Sequence, residues 1–124
     1  MLKITYAKNT GGAFGIGEGN VFQVMLVNII VLGIVGRFLI LQFNKMNKTT
    51  KVILCLVLAG GFSNLLDRII RGFVVDYIDI AQLFSFPIFN LADVYVVAGW
   101  AMLVLITLFT TLKDLRGSQS KITM

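Results

Sequence analysis

Residues 52–70 read VILCLVLAGGFSNLLDRII. At about 1.5 Å per residue, a helix of this length nearly matches the roughly 30 Å hydrocarbon core of a bilayer. The run is apolar until its last third and then turns polar at Asn64, Asp67 and Arg68. Ala59, Gly60, Gly61 and Ser63 are small enough to let another membrane helix approach closely. Upstream, Asn44 to Lys51 forms a loop carrying three lysines, and before it Val21 to Phe43 predicts a first spanning helix. Arg37, near the basic end of that helix, can snorkel toward headgroups. Downstream, Leu91 to Leu112 predicts a third helix with Asp93 in its first turn, followed by a polar, frayed tail from Lys113. Residues 2–8 alternate as a half-exposed strand, and Val74 to Ile80 is strand-like. Asn9 to Gly12 breaks the first strand, and the apolar, glycine-rich loop from Ala13 and Phe14 to Gly17 suits an interface. So does the short apolar run Leu83 to Phe89, which Pro87 stops from becoming a helix. The expected fold is an all-α membrane protein with three transmembrane helices and a small extracytoplasmic β layer. Residues 1–124 form one membrane-embedded domain.

Composition agrees. The 124 residues are 57% hydrophobic and 14% charged, with mean hydropathy +0.89, far from the soluble norm. A pI near 9.7 invites a nucleic-acid reading. That reading fails, because the basic residues flank apolar runs and do not form a patch. They read as the cytoplasmic Lys and Arg excess that orients membrane helices. The loop 44–51 and the tail 113–124 therefore face the cytoplasm, and the Asp-rich segment and the N-terminal strand face outward. Lys3 and Lys8 would then have to be translocated with no helix ahead of them. This predicts a further helix upstream, with Gly60, Gly61 and Ser63 on the face that it covers. The opening MLKITYAKNT lacks the apolar core of a cleavable signal. Cys55 is the one cysteine, a small apolar packing group, so no intrachain disulfide can form. There is no histidine, which removes Ser-His and Cys-His nucleophile pairs and most zinc sites. Acid–base work near neutral pH falls to carboxylates, Lys or Tyr.

Asp67, Asp76, Asp79 and Asp93 are four of the six acidic residues, and they lie between or at the edges of the last two apolar runs. Carboxylates at the mouth of a membrane bundle are costly and therefore functional candidates. Antiparallel second and third helices bring Asp76 and Asp93 to one membrane face. Two carboxylates close together in a low-dielectric site do not both ionise easily, so one keeps its proton while the other acts as base. Simpler roles remain open on spacing alone. Asp93 suits the positive end of a helix dipole, with Asn90 as its N-cap, and Asp76 suits a solvated loop. Asp79 reads as solvated, Asn9 as a turn residue, and Asp67-Arg68 as a charge cluster closing the helix end.

The segments NTGGAFGI (9–16), GGFSNLLDR (60–68), VVDYI (74–78) and FNLADVY (89–95) together resemble the bacterial lipoprotein signal peptidases, signal peptidase II. The four occur in the family's order, and the likeness covers nearly the whole chain. The resemblance implies an aspartic endopeptidase of the bacterial cytoplasmic (inner) membrane, multi-pass, with its active site toward the extracytoplasmic face. Its substrates would be diacylglyceryl prolipoproteins, cut just before the lipidated cysteine. Motif by motif, it implies Asp76 and Asp93 as the catalytic pair. Asn9, Gly11, Asn64, Asp67, Arg68, Asn90 and Ala92 would bind substrate or support the site. It implies no metal or organic cofactor, membrane lipid but no nucleic acid as partner, and inhibitors of the globomycin type. Members of the family carry four transmembrane helices, the first with its own Asp and Lys, and this chain begins after that helix. A small proton-coupled transporter and a non-catalytic membrane subunit are the rival readings. The transporter requires an acidic residue near mid-membrane, not at helix ends.

Overall fold

In the computed structural model, which describes residues 2–12, 15–81, 83 and 85–122, the chain runs strand, helix, helix, strand, helix. The elements are β1 (Lys3–Asn9), α1 (Val21–Gln42), α2 (Lys48–Arg71), β2 (Val74–Asp79) and α3 (Leu91–Ile122), with a 3₁₀ turn at Phe43–Lys45 after α1. Ala13, Phe14 and Phe84, which fall in the expected interfacial segments, lie outside the described residues.

Three helices are long and apolar enough to cross a membrane: Val21–Lys45, Lys48–Arg71 and Leu91–Ser118. Among the described residues of α1 only Val35 is buried, and Ile30, Ile34, Phe38 and Leu41 stand exposed. So much uncovered apolar surface is untenable in water and ordinary in lipid. The chain is a multi-pass membrane protein built on three such helices and a two-stranded sheet.

Asn20 caps α1, its side chain accepting from the Gln23 N–H at 3.2 Å. Two helix limits differ from the sequence reading. The second helix begins at Lys48 and not Val52, because the Asn47 side chain accepts the Thr50 N–H at 2.8 Å and so caps the first turn. Lys48 and Lys51 are helical residues, and the loop shrinks to a few positions. The third helix does not fray at Lys113 but continues to Ile122. Lys113, Leu115 and Arg116 are good helix formers, and the lone Gly117 costs only about 1 kcal/mol. Gly72 ends α2. At φ 75° it takes the left-handed conformation, and its N–H returns to the Arg68 carbonyl at 2.9 Å.

The central helix is α2, which buries Ile53, Leu54, Val57, Gly60, Leu65 and Arg68. Small residues set its distances from both neighbours. A side chain at Gly60 would collide with the Ala92 carbonyl oxygen of α3, and one at Gly99 with the Val57 side chain. On the other side, a methyl group at Gly61 would meet Leu32 of α1 at 2.8 Å. Gly60 and Gly61 are therefore already covered by α3 and α1. This corrects the expectation that they face an additional helix. Asn28, in the apolar run of α1, donates its side-chain amide to the Gly61 carbonyl at 3.1 Å.

The sheet is antiparallel. Ile4 pairs with Ile78, Ala7 with Asp76 and Asn9 with Val74, with an irregularity between Ile4 and Ala7. On its far side β2 is held by Phe89, which exchanges backbone bonds with Ile78 at 2.8 and 3.1 Å. Val74 and Asp76 point to the buried face, and Val75 and Tyr77 to the other. This pairing ties residues 3–9 to the start of α3, so both lie at the same end of the bundle.

Candidate active site

The end of the bundle that meets the sheet holds the acidic residues singled out above, and α3 begins there in a reciprocal cap. Asn90 Oδ1 accepts the Asp93 N–H at 3.1 Å, while Asp93 Oδ2 accepts the Asn90 N–H at 3.0 Å. This is a capping-box arrangement with Asp in the acidic position. The bland role of Asp93 at a helix start is therefore real, but it is not the whole account. The other oxygen of Asp93, Oδ1, accepts from Asn64 Nδ2 of α2 at 2.7 Å.

Asp76 sits on the inward face of β2 and is only 3% exposed. Its Oδ1 accepts from Asn90 Nδ2 at 2.8 Å and its Oδ2 from Asn9 Nδ2 at 2.9 Å. Asn90 also donates to Asn64 Oδ1 at 3.0 Å. One asparagine thus touches both carboxylates, and a second joins it to Asp93. Burial pushes the Asp76 carboxyl above its ordinary value, and the nearby Asp93 charge pushes the same way. The amides of Asn9 and Asn90 and the Arg68 charge pull it back without cancelling the rise.

Arg68 points into this cluster from α2. It is 6% exposed. It donates through Nη1 to the Asn64 carbonyl at 3.1 Å and through Nη2 to the Gly11 carbonyl. Its Nε has no partner among the described residues. Its charge reaches Asp93, Asp76 and Asp67. Gly11 in turn donates its N–H to Asn9 Oδ1 at 2.9 Å. A Cβ at Gly11 would lie 3.2 Å from the Glu18 backbone, so the position suits glycine. Asn9 is therefore both the turn residue expected and a partner of Asp76 across 67 positions of sequence.

Asp67 and Arg68 form no ion pair with each other among the described residues, although the Asp67 charge still acts on Arg68. Asp67 pairs instead with Arg71 at 3.7 Å, on the half-exposed side, because successive helical residues point about 100° apart. Asp79 lies apart from the carboxylate pair, accepting the Ala81 N–H at 2.8 Å. Cys55 is exposed on its helix, not packed within the bundle as expected. Ala92 contributes its backbone carbonyl at the close approach to Gly60. A cavity of about 260 Å³ adjoins the cluster, walled by Asn64 and Asp67 of α2, Tyr77 of β2, and Asn90, Ala92 and Tyr95 at the start of α3. Asn28, Tyr77 and Tyr95 were not singled out in the sequence. The signal for Asn28 was legible, because an amide within an apolar span needs a partner.

Fold and site together define a polytopic membrane protein with two carboxylates bridged by amides at one end of its helices. The family described as signal peptidase (SPase) II matches residues 1–109. The lipoprotein signal peptidase of Caldicellulosiruptor bescii is 37% identical over 114 residues, which cover 92% of this chain and 69% of that protein. That of Staphylococcus carnosus is 39% identical over 116 residues, covering 92% and 72%. A bacterial membrane enzyme solved by the in meso method at 2.3 Å superposes with a TM-score of 0.74 at 34% identity, over 91% of this chain and 68% of that one. The chain belongs to the signal peptidase II family.

Proposed function

We propose that this chain is an aspartic endopeptidase that removes signal peptides from diacylglyceryl-modified bacterial prolipoproteins. Water attacks the peptide bond before the lipidated cysteine. The observation that carries the reading is Asn90, which hydrogen-bonds Asp76 through its side chain and Asp93 through its backbone. Family membership supports the substrate class.

In this reading the two carboxylates share a proton. Burial favours the protonated form of Asp76, so Asp93 takes the proton of the attacking water and Asp76 protonates the departing amine. Arg68, held by Asn64 and Gly11, keeps a fixed positive charge near the pair and stabilises the single negative charge they carry. Asn9, Asn64 and Asn90 orient the oxygens. The substrate's lipid is membrane-soluble, so it reaches the site sideways through the bilayer. The site faces the extracytoplasmic side of the cytoplasmic membrane, and inhibitors of the globomycin type compete there. Asp76 lies on the strand outside the spans and Asp93 in the first turn of α3, so neither is mid-span, which argues against an ion relay.

The test is cleavage of a diacylglyceryl prolipoprotein by purified protein in lipid. Wild type should release the signal peptide, and Asp76→Asn and Asp93→Asn should not while still accumulating in membranes. Substantial turnover by either variant would sink the assignment.

A further inference from the structure

The polar groups lining the cavity beside the carboxylate pair can be followed one by one. Asn64 spends its amide on Asp93 and its oxygen on Asn90. Asn90 spends its amide on Asn64 and Asp76. Asp67 is paired with Arg71. Three hydroxyls remain in the wall, those of Ser63, Tyr77 and Tyr95. Only Tyr77 has its oxygen fixed among the described residues, by the Leu91 N–H at 3.3 Å in the first turn of α3. That bond uses the oxygen as an acceptor. The hydroxyl proton has no acceptor among the described residues.

We infer that Tyr77 is a substrate-positioning residue whose hydroxyl donates a hydrogen bond to a carbonyl oxygen of the lipid-modified substrate held in this cavity. The inference rests on the peptidase reading and adds a group to it. A phenol bends its O–H near the ring plane. With the strand fixing the ring and Leu91 fixing the oxygen, the donor has one preset direction. Carbonyls are the acceptors that such a substrate brings, either in its acyl esters or in its peptide backbone. Asn64 and Asn90, which wall the same cavity, are the residues bonded to Asp93 and Asp76. The bond therefore sets where the chain rests relative to the pair without touching the reacting atoms.

The experiment compares wild type with Tyr77→Phe, using the full chain in lipid and two synthetic lipopeptides. One carries ester-linked acyl chains and the other ether-linked alkyl chains, which lack the lipid carbonyl. Losing one hydrogen bond should raise KM by roughly 3- to 10-fold, with kcat within about twofold. A rise confined to the ester substrate assigns the lipid carbonyl, and a rise with both assigns the peptide carbonyl. Unchanged KM with both substrates overturns the inference. So does a fall in kcat alone, which is what a smaller folded fraction would produce. If wild type itself cleaves neither substrate, the peptidase reading fails. Equilibrium binding of the ester lipopeptide then decides separately: several-fold weaker binding by Tyr77→Phe supports the hydrogen bond, and equal binding overturns it.

Discussion

At the scale of single residues, the two carboxylates have different surroundings, and this separates their expected behaviour. Removing either should lower turnover by roughly 10²-fold or more, the usual worth of a positioned acid or base. Asp79→Asn should keep activity within about twofold, since Asp79 is three positions along an alternating strand and caps a turn. A loss as deep as that of Asp76→Asn would mean that the wrong carboxylate had been chosen. Stability provides a second check. The pKa of Asp76 is raised on folding, so the folded chain holds this proton more tightly than the unfolded chain. The ionised group therefore costs stability at neutral pH. That cost shrinks as pH falls through the folded pKa and vanishes below the ordinary value of 3.8. Melting temperature in detergent between pH 7 and pH 4 should include this gain for wild type and lack it for Asp76→Asn. Identical pH profiles would show that the raised pKa is not real. The positions of Asp76 and Asp93 could be read in the sequence because each abuts an apolar run. Of their partners only Asn90, as the cap beside Asp93, was legible from spacing. Asn9 reaches Asp76 only through strand pairing, and the pairing of Asp67 with Arg71 rather than Arg68 depends on which side of α2 meets the sheet.

At the scale of elements, contact between α2 and α3 sets the distance from Asn64 to Asp93, and Gly60 and Gly99 set that contact. Gly60→Ala should force the helices apart against the Ala92 carbonyl. The expected cost is about 1–3 kcal/mol of stability, with a fall in turnover because the 2.7 Å Asn64–Asp93 bond stretches. Gly33→Ala, with nothing within 4 Å of its added methyl group, should leave turnover unchanged and stability equal or higher by up to about 1 kcal/mol. Equal effects from the two would show that helix contact does not position the site. The sequence marked the spans well, since long apolar runs leave little choice. It misplaced two ends. Asn47 starts α2 early through a side-chain cap, and α3 outlasts its apolar portion because charged residues sustain helix in water as well as apolar ones do in lipid. The small residues of α2 were visible as a packing device, but one sequence does not reveal which neighbour each glycine meets.

At the scale of the whole molecule, Arg68 links the N-terminal loop, α2 and the carboxylate pair in one buried cluster. Arg68→Ala strands the carboxylates without a compensating charge and frees the Gly11 carbonyl, so melting temperature and turnover should fall together. Lost turnover with an unchanged melting curve would instead point to direct contact with substrate. Orientation is decided at the same scale. Pairing of β1 with β2 puts residues 3–9, Asp76 and the start of α3 at one end of the bundle. The helices then carry Lys45, Lys48, Lys51, Lys113 and Arg116 to the opposite end. Lys and Arg beside spanning helices are retained in the cytoplasm, so the sheet and carboxylate pair should face outward. In a Cys55→Ala background, Thr5→Cys should react with an impermeant thiol reagent applied to intact cells. Thr49→Cys, at the start of α2, should react only after the membrane is opened. The reverse pattern would place the carboxylates in the cytoplasm, out of reach of a translocated prolipoprotein, and the peptidase reading would fall with it.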